Sequence, residues 1–159
     1  YANAFGMHVL VWGSDSSRLK AREHGFAAAA TKAEFFAASD ILSLHLRLND
    51  ATRGCVTKAD LELMKSDSLF VNTSRAELVA PGALLAELSE KPTKRAAVDV
   101  YDREPATPEI DPLLSLPNAL CAPHLGYVEK NSYELYFKIA FENVVAFANG
   151  RPQNLATLG

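Results

Sequence analysis

Short apolar runs alternate with amphipathic stretches along almost the whole chain, and this alternation constrains the fold more than any other feature of the sequence. His8–Trp12 (HVLVW), Asp40–Leu46 (DILSLHL), Ser68–Ser74 (SLFVNTS), Arg95–Tyr101 (RAAVDVY) and Ala119–Pro123 (ALCAP) read as strands, with Ala27–Ala30 as a shorter one. Strands that alternate with helices build a parallel sheet, because each parallel neighbour needs a crossover connection. His8–Trp12 has the apolar run of a strand buried on both faces.

The helix signals fall between these runs. Ser14 or Asp15 caps a helix through His24, which Gly25 closes. Thr31 with Glu34 has the spacing of a capping box, and Thr57 with Asp60 marks a helix that runs to about Lys65. Pro81 suits the first turn of a helix ending near Lys91-Pro92. The last helix is the clearest. Tyr133, Tyr136, Phe137, Ala140, Phe141, Val144, Phe147 and Ala148 recur at helical spacing, and Gly150 and Pro152 stop the run. This aromatic stripe is expected to be core. Asp102–Pro117 holds four of the eight prolines and reads as a loop.

A chain of 159 residues is long enough to bury a core of its own. Its net charge of −3 gives no reason to expect nucleic acid or an anionic membrane as partner. No apolar run approaches the ~18 residues of a membrane span. Cys55 and Cys121 match neither a zinc-ligand spacing nor a disulfide framework, so no metal is expected. Buried free thiols in a reducing, cytoplasmic compartment are the natural reading. The opening residues, YANAFGMHVLVWG, read as the end of a helix followed by a strand.

In an open α/β sheet, ligands sit outside the carboxyl ends of the strands. Reading the polar residues there yields Arg75, Asp99, Glu104 and His124. Each has a structural alternative: a surface arginine, turn or cap carboxylates, a histidine satisfied by backbone carbonyls. Together they make sense for one chemistry. Arginine grips a planar carboxylate through two parallel hydrogen bonds. Histidine exchanges protons near neutral pH, and a carboxylate beside it fixes its orientation. That is a carboxylate anchor with a general acid, as reduction of a 2-oxo acid requires. No side chain donates hydride, so a nicotinamide cofactor is implied.

SDILSLHLRLNDATRGCVTKADLELMKSDSLFVNTSRAELV, VDVYDREP and APHLGY together resemble, in order and spacing, the signature regions of the D-isomer-specific 2-hydroxyacid dehydrogenases. The resemblance implies a Rossmann-like, doubly wound α/β sheet. It implies that Arg75 binds the substrate carboxylate and that His124 gives a proton to the carbonyl, held by Glu104. Asp99 would lie near the nicotinamide, while Leu46, Thr73, Ser74 and the backbone at Gly126 would line the cofactor groove. A small 2-oxo acid would be the substrate, and the protein would form a homodimer.

The sequence departs from that family in three places. No G-x-G-x-x-G is present, and nothing corresponds to a separate substrate-binding domain. The first βα unit is thus expected to be missing, residues 1–159 forming a partial dinucleotide-binding domain that is inactive alone. With the usual strand order, the missing strand would be the central one. Second, the acidic ribose ligand of NAD is displaced: Gly13 and Ser14 stand there, with Asp15 slightly later and Arg18 nearby, so the cofactor is NAD or NADP. Third, Arg47 stands where proline is usual, as a surface change or a contact to an adenosine phosphate. A dinucleotide-sensing corepressor, sharing the Arg, Glu and His, is the alternative. Formate dehydrogenase pairs its histidine with glutamine, and Glu104 argues against it.

Overall fold

The computed structural model describes residues 1–156, in two compact units that meet in sequence between His124 and Leu125. The first unit carries two parallel sheets. In one, β1 (Leu10–Val11) pairs with β2 (Ala27–Ala28) across α1 (Asp15–Glu23). In the other, β3 (Ile41–Leu44), β4 (Leu69–Asn72), β5 (Arg95–Val98) and β6 (Ala119–Cys121) lie in sequential order, every pair parallel. The helices α2 (Lys32–Ala38), α3 (Lys58–Glu62) and α4 (Ala83–Glu90) complete this unit. This is the Rossmann-like α/β arrangement, with β1 and β3 in different sheets.

Register explains where the core lies. Leu42, Phe70, Ala96 and Ala119 form one row across the four strands, and Leu44, Asn72, Val98 and Cys121 the row two residues on. Alternate residues point to one face, and these pack with Phe36 of α2, Leu61 of α3 and Leu84 and Leu88 of α4. The row between them, Ser43, Val71, Ala97 and Leu120, points the other way. That face is more open: Leu120 is 71% exposed.

Helix starts follow the caps, with differences. Ser14, rather than Asp15, is the N-cap of α1, its Oγ accepting from the Ser17 N–H. Thr57 and Asp60 make a complete capping box. At α2 only half of one forms: Thr31 accepts from the Glu34 N–H, but the Glu34 carboxylate accepts from the Ala30 N–H, one residue before the cap. Helix α3 stops at Glu62, short of Lys65. Pro81 sits in a turn before α4, whose N-cap is Gly82 at φ 72°, a conformation open to glycine.

Three further expectations are corrected. The strand at His8–Trp12 shrinks to Leu10–Val11 and is only half-buried, because β2 is its sole sheet partner among the described residues. The loop at Asp102–Pro117 contains a 3₁₀ turn, Pro112–Ser115, whose Leu113 is buried in the core. Cys55 and Cys121 are free but half-buried, with burial pushing both thiols up in pKa.

The largest correction concerns the second unit, built on α5 (Lys130–Ala148). The sequence pattern locates this helix accurately, yet none of its residues is buried. Phe141 is 67% exposed and Phe147 74%. Instead of entering a core, the rings of Tyr133, Phe137 and Phe141, four residues apart, line the helix surface at centroid spacings of 6.1 and 6.5 Å, the first pair tilted and the second stacked. Helical periodicity states which side of a helix is apolar; it does not supply the layer that covers it. No helix among the described residues is long and apolar enough to cross a membrane.

Candidate functional site

The parallel register of β3 to β6 brings four strand ends to one edge, after Leu44, Asn72, Val98 and Cys121. Beyond β6, Pro123 breaks the ladder, and the His124 N–H turns back to the Ala122 carbonyl oxygen at 3.0 Å. His124 takes φ 55°, in the left-handed region that non-glycine residues seldom adopt. Such a conformation persists only where its surroundings hold it.

Glu104 supplies part of that hold. His124 Nδ1 lies 2.8 Å from Glu104 Oε1 and 2.9 Å from Oε2, with both side chains partly open to solvent. The hydrogen bond from His124 holds the Glu104 carboxyl below the usual carboxylate range, against the effect of partial burial. The Tyr101 N–H adds a second donor, at 3.3 Å from Oε1. Tyr101 also donates its hydroxyl to the Ala122 carbonyl oxygen at 2.7 Å, so one residue braces both the glutamate and the turn carrying the histidine. Burial raises the phenol pKa, which keeps that donor protonated.

On β4, buried Asn72 organises the turn that bears Arg75. Its amide donates to the Arg75 carbonyl oxygen at 2.9 Å, and its Oδ1 accepts from the Ser74 N–H at 3.1 Å. The Asn72 carbonyl oxygen accepts from the Asp99 N–H at 3.0 Å, extending the β4–β5 ladder to buried Asp99. Arg75 is exposed and donates through Nη1 to the Ser74 carbonyl oxygen. Ser74 Oγ donates to the Leu46 carbonyl oxygen at 2.8 Å, tying the β4 turn to the chain beyond β3. Thr73 is exposed at the same edge.

The expected residues therefore join through direct contacts of His124 with Glu104, Ser74 with Leu46 and Arg75 with Ser74, while Arg75 and Asp99 are linked through Asn72. Ser14 stands apart at the N-cap of α1, after β1, where its hydroxyl bonds to Ser16 and Ser17. Nearby Arg18 is already engaged, with Asp15, with the Ala30 carbonyl oxygen and over the Trp12 ring. Gly126 lies in the Leu125–Val128 turn that starts the second unit. Asn72 and Tyr101 were not among the sequence candidates. Both follow a valine at the end of a strand-like run, and a polar side chain at that position is the one signal the sequence carries.

Residues 1–126 match the family model of the D-isomer specific 2-hydroxyacid dehydrogenase NAD binding domain. The chain belongs to this family. Among the relatives of this NAD-binding domain, a glyoxylate reductase of Aeropyrum pernix is 37% identical over 153 residues, 96% of this chain and 45% of that protein. The C-terminal-binding protein 1 of Caenorhabditis elegans is 34% identical over 156 residues, 97% of this chain and 22% of that protein. Among solved structures, a phosphoglycerate oxidoreductase of Vibrio cholerae is 70% identical with a TM-score of 0.90, over 93% of this chain and 47% of that one. The domain thus spans less than half the length of each of these relatives.

Proposed function

We propose that this chain is the nucleotide-binding and acid-donating part of an oxidoreductase that interconverts a small 2-oxo acid and its 2-hydroxy acid. The observation that carries the reading is the His124–Glu104 pair, braced by Tyr101 at a strand end. With Nδ1–H donated to Glu104, a protonated His124 carries its second proton on Nε2, the atom that delivers it to a substrate carbonyl oxygen. Glu104 balances the imidazolium and fixes the ring. Arg75 receives the substrate carboxylate: apart from Nη1, its N–H groups make no hydrogen bond among the described residues. A nicotinamide cofactor, NAD or NADP, supplies the hydride when bound.

The donor set fits the nicotinamide side of such a cofactor, with Leu46, Thr73, Ser74 and Asp99 on one strand-end edge. It lacks a phosphate cradle, since no glycine-rich turn opens any helix here. Further chain would supply that cradle and the substrate-binding surface. Engagement of Arg18 by Asp15 and Ala30 leaves little for a 2′-phosphate and favours NAD. A homodimer and a cytoplasmic location belong to the same proposal.

The test is turnover by the longer protein containing this domain, with NADH and NADPH, on glyoxylate, hydroxypyruvate, pyruvate and phenylpyruvate, and with NAD and NADP on 3-phosphoglycerate. His124→Gln should lower turnover by roughly a hundred- to ten-thousand-fold while cofactor affinity stays nearly unchanged. Undiminished turnover would remove His124 from the chemistry. The similarity to the C-terminal-binding protein keeps a dinucleotide-sensing reading in view. Tight cofactor binding with no turnover on the whole panel would favour it.

A further inference from the structure

We propose that Glu62, Glu87 and Glu90 form a binding site for a hard divalent cation, calcium by its dimensions, at the junction of α3 and α4. This site shares no residue with the strand-end constellation. Glu62 ends α3, while Glu87 and Glu90 are three residues apart on α4 and share a face of it. One carboxylate oxygen from each lies within 4.8 Å of the other two.

Glu87 makes this more than a group of surface acids. It is only 1% exposed. Its Oε1 accepts from buried Lys94 at 2.6 Å, but its Oε2 is buried without any hydrogen-bond partner. An unsatisfied buried carboxylate oxygen is costly and calls for a ligand. Lys94 is also committed elsewhere, donating to the Leu61 carbonyl oxygen at 2.8 Å.

On the solvent side, Lys58 currently bridges the outer two carboxylates, with Nζ 2.6 Å from Glu62 Oε1 and 2.9 Å from Glu90 Oε2. Those contacts raise the lysine pKa and lower that of Glu62. Lys58 and Lys94 are the ammonium groups in direct contact with the three carboxylates, and two positive charges leave one negative charge unmatched by those contacts. A divalent cation in place of Lys58, with Lys94 retained, brings the cluster to neutrality. Lys58 is partly exposed and free to swing outward.

Dimensions and ligand type choose the metal. An all-carboxylate set suits magnesium, calcium or manganese rather than softer metals. Calcium–oxygen distances of about 2.3–2.6 Å allow ligand oxygens up to roughly 5 Å apart across the ion, whereas magnesium at about 2.1 Å allows only about 4.2 Å. Separations within 4.8 Å fall inside the calcium span once Lys58 moves aside. Water would complete its shell, and the bound ion would clamp α3 to α4, stabilising the folded state that holds it.

The full chain should be titrated with calcium chloride at constant ionic strength, reading binding by calorimetry and stability by thermal unfolding. A saturable heat with a matching rise in Tm is expected, weaker for magnesium. Glu62→Gln and Glu90→Gln, both at exposed side chains, should each weaken calcium roughly tenfold. Lys58→Met should strengthen it by removing the competing ammonium. No saturable response overturns the proposal, as does an equal response in the two glutamine variants. Loss of stability in Lys58→Met that calcium does not restore also overturns it, making Lys58 the resident cation.

Discussion

His124 illustrates how a backbone constraint and a side-chain contact cooperate at a single residue. Pro123 ends the ladder, the left-handed φ turns the chain, and Glu104 receives the ring. The contact has a titration signature. Because the folded Glu104 pKa lies below its unfolded value, the pairing contributes stability at neutral pH and loses it as pH falls through the folded pKa. His124→Ala should therefore return the Glu104 carboxyl upward, toward the ordinary value of about 4.3, as read by carbon NMR of the carboxyl group. An unmoved titration would mean that His124 is not the cause. That Glu104 and His124 meet was readable in the sequence only through the resemblance, since twenty residues separate them. Tyr101, which braces both, lies within the VDVYDREP stretch but carries no assigned role there.

At the scale of elements, local chemistry was legible and its completion was not. Thr57 and Asp60 satisfy each other because both partners lie within one turn. Thr31 and Glu34 have the same spacing, yet the Glu34 carboxylate is taken by the Ala30 N–H, a choice set by the path of the preceding chain. Asn72 lies in β4, as the strand pattern at Ser68–Ser74 implies, but that pattern does not reveal what its side chain does. It is buried, and its amide spends both of its ends on the Arg75 turn. Asn72→Ala should cost about 1–3 kcal/mol, because it leaves two part-buried backbone groups without this partner and empties a buried site. Urea unfolding checks the magnitude, and amide exchange at Ser74 should quicken. A neutral substitution with unchanged exchange would show that the turn holds itself.

For the whole molecule, the decisive contrast is between the two aromatic populations. Phe70 is buried in the β4 core row, whereas Phe141 on α5 is mostly exposed. Phe70→Ala should cost about 3–5 kcal/mol. Phe141→Ala should change stability by no more than about 0.5 kcal/mol in this chain. Paired denaturation curves test this, and a comparable loss at Phe141 would restore the stripe to a core. By itself the sequence determined the succession of strands and helices, the cap of α3, the apolar side of α5 and the polar residues at each strand end. These follow from interactions between near neighbours or from a repeating period. Tertiary structure alone decided that β1 and β3 lie in different sheets, that Asn72 and Tyr101 organise the site edge, that Glu87 is buried with an unsatisfied oxygen, and that the stripe on α5 is uncovered. Each depends on groups far apart in the chain, and pairing or burial between distant groups is set by what else occupies the space beside them.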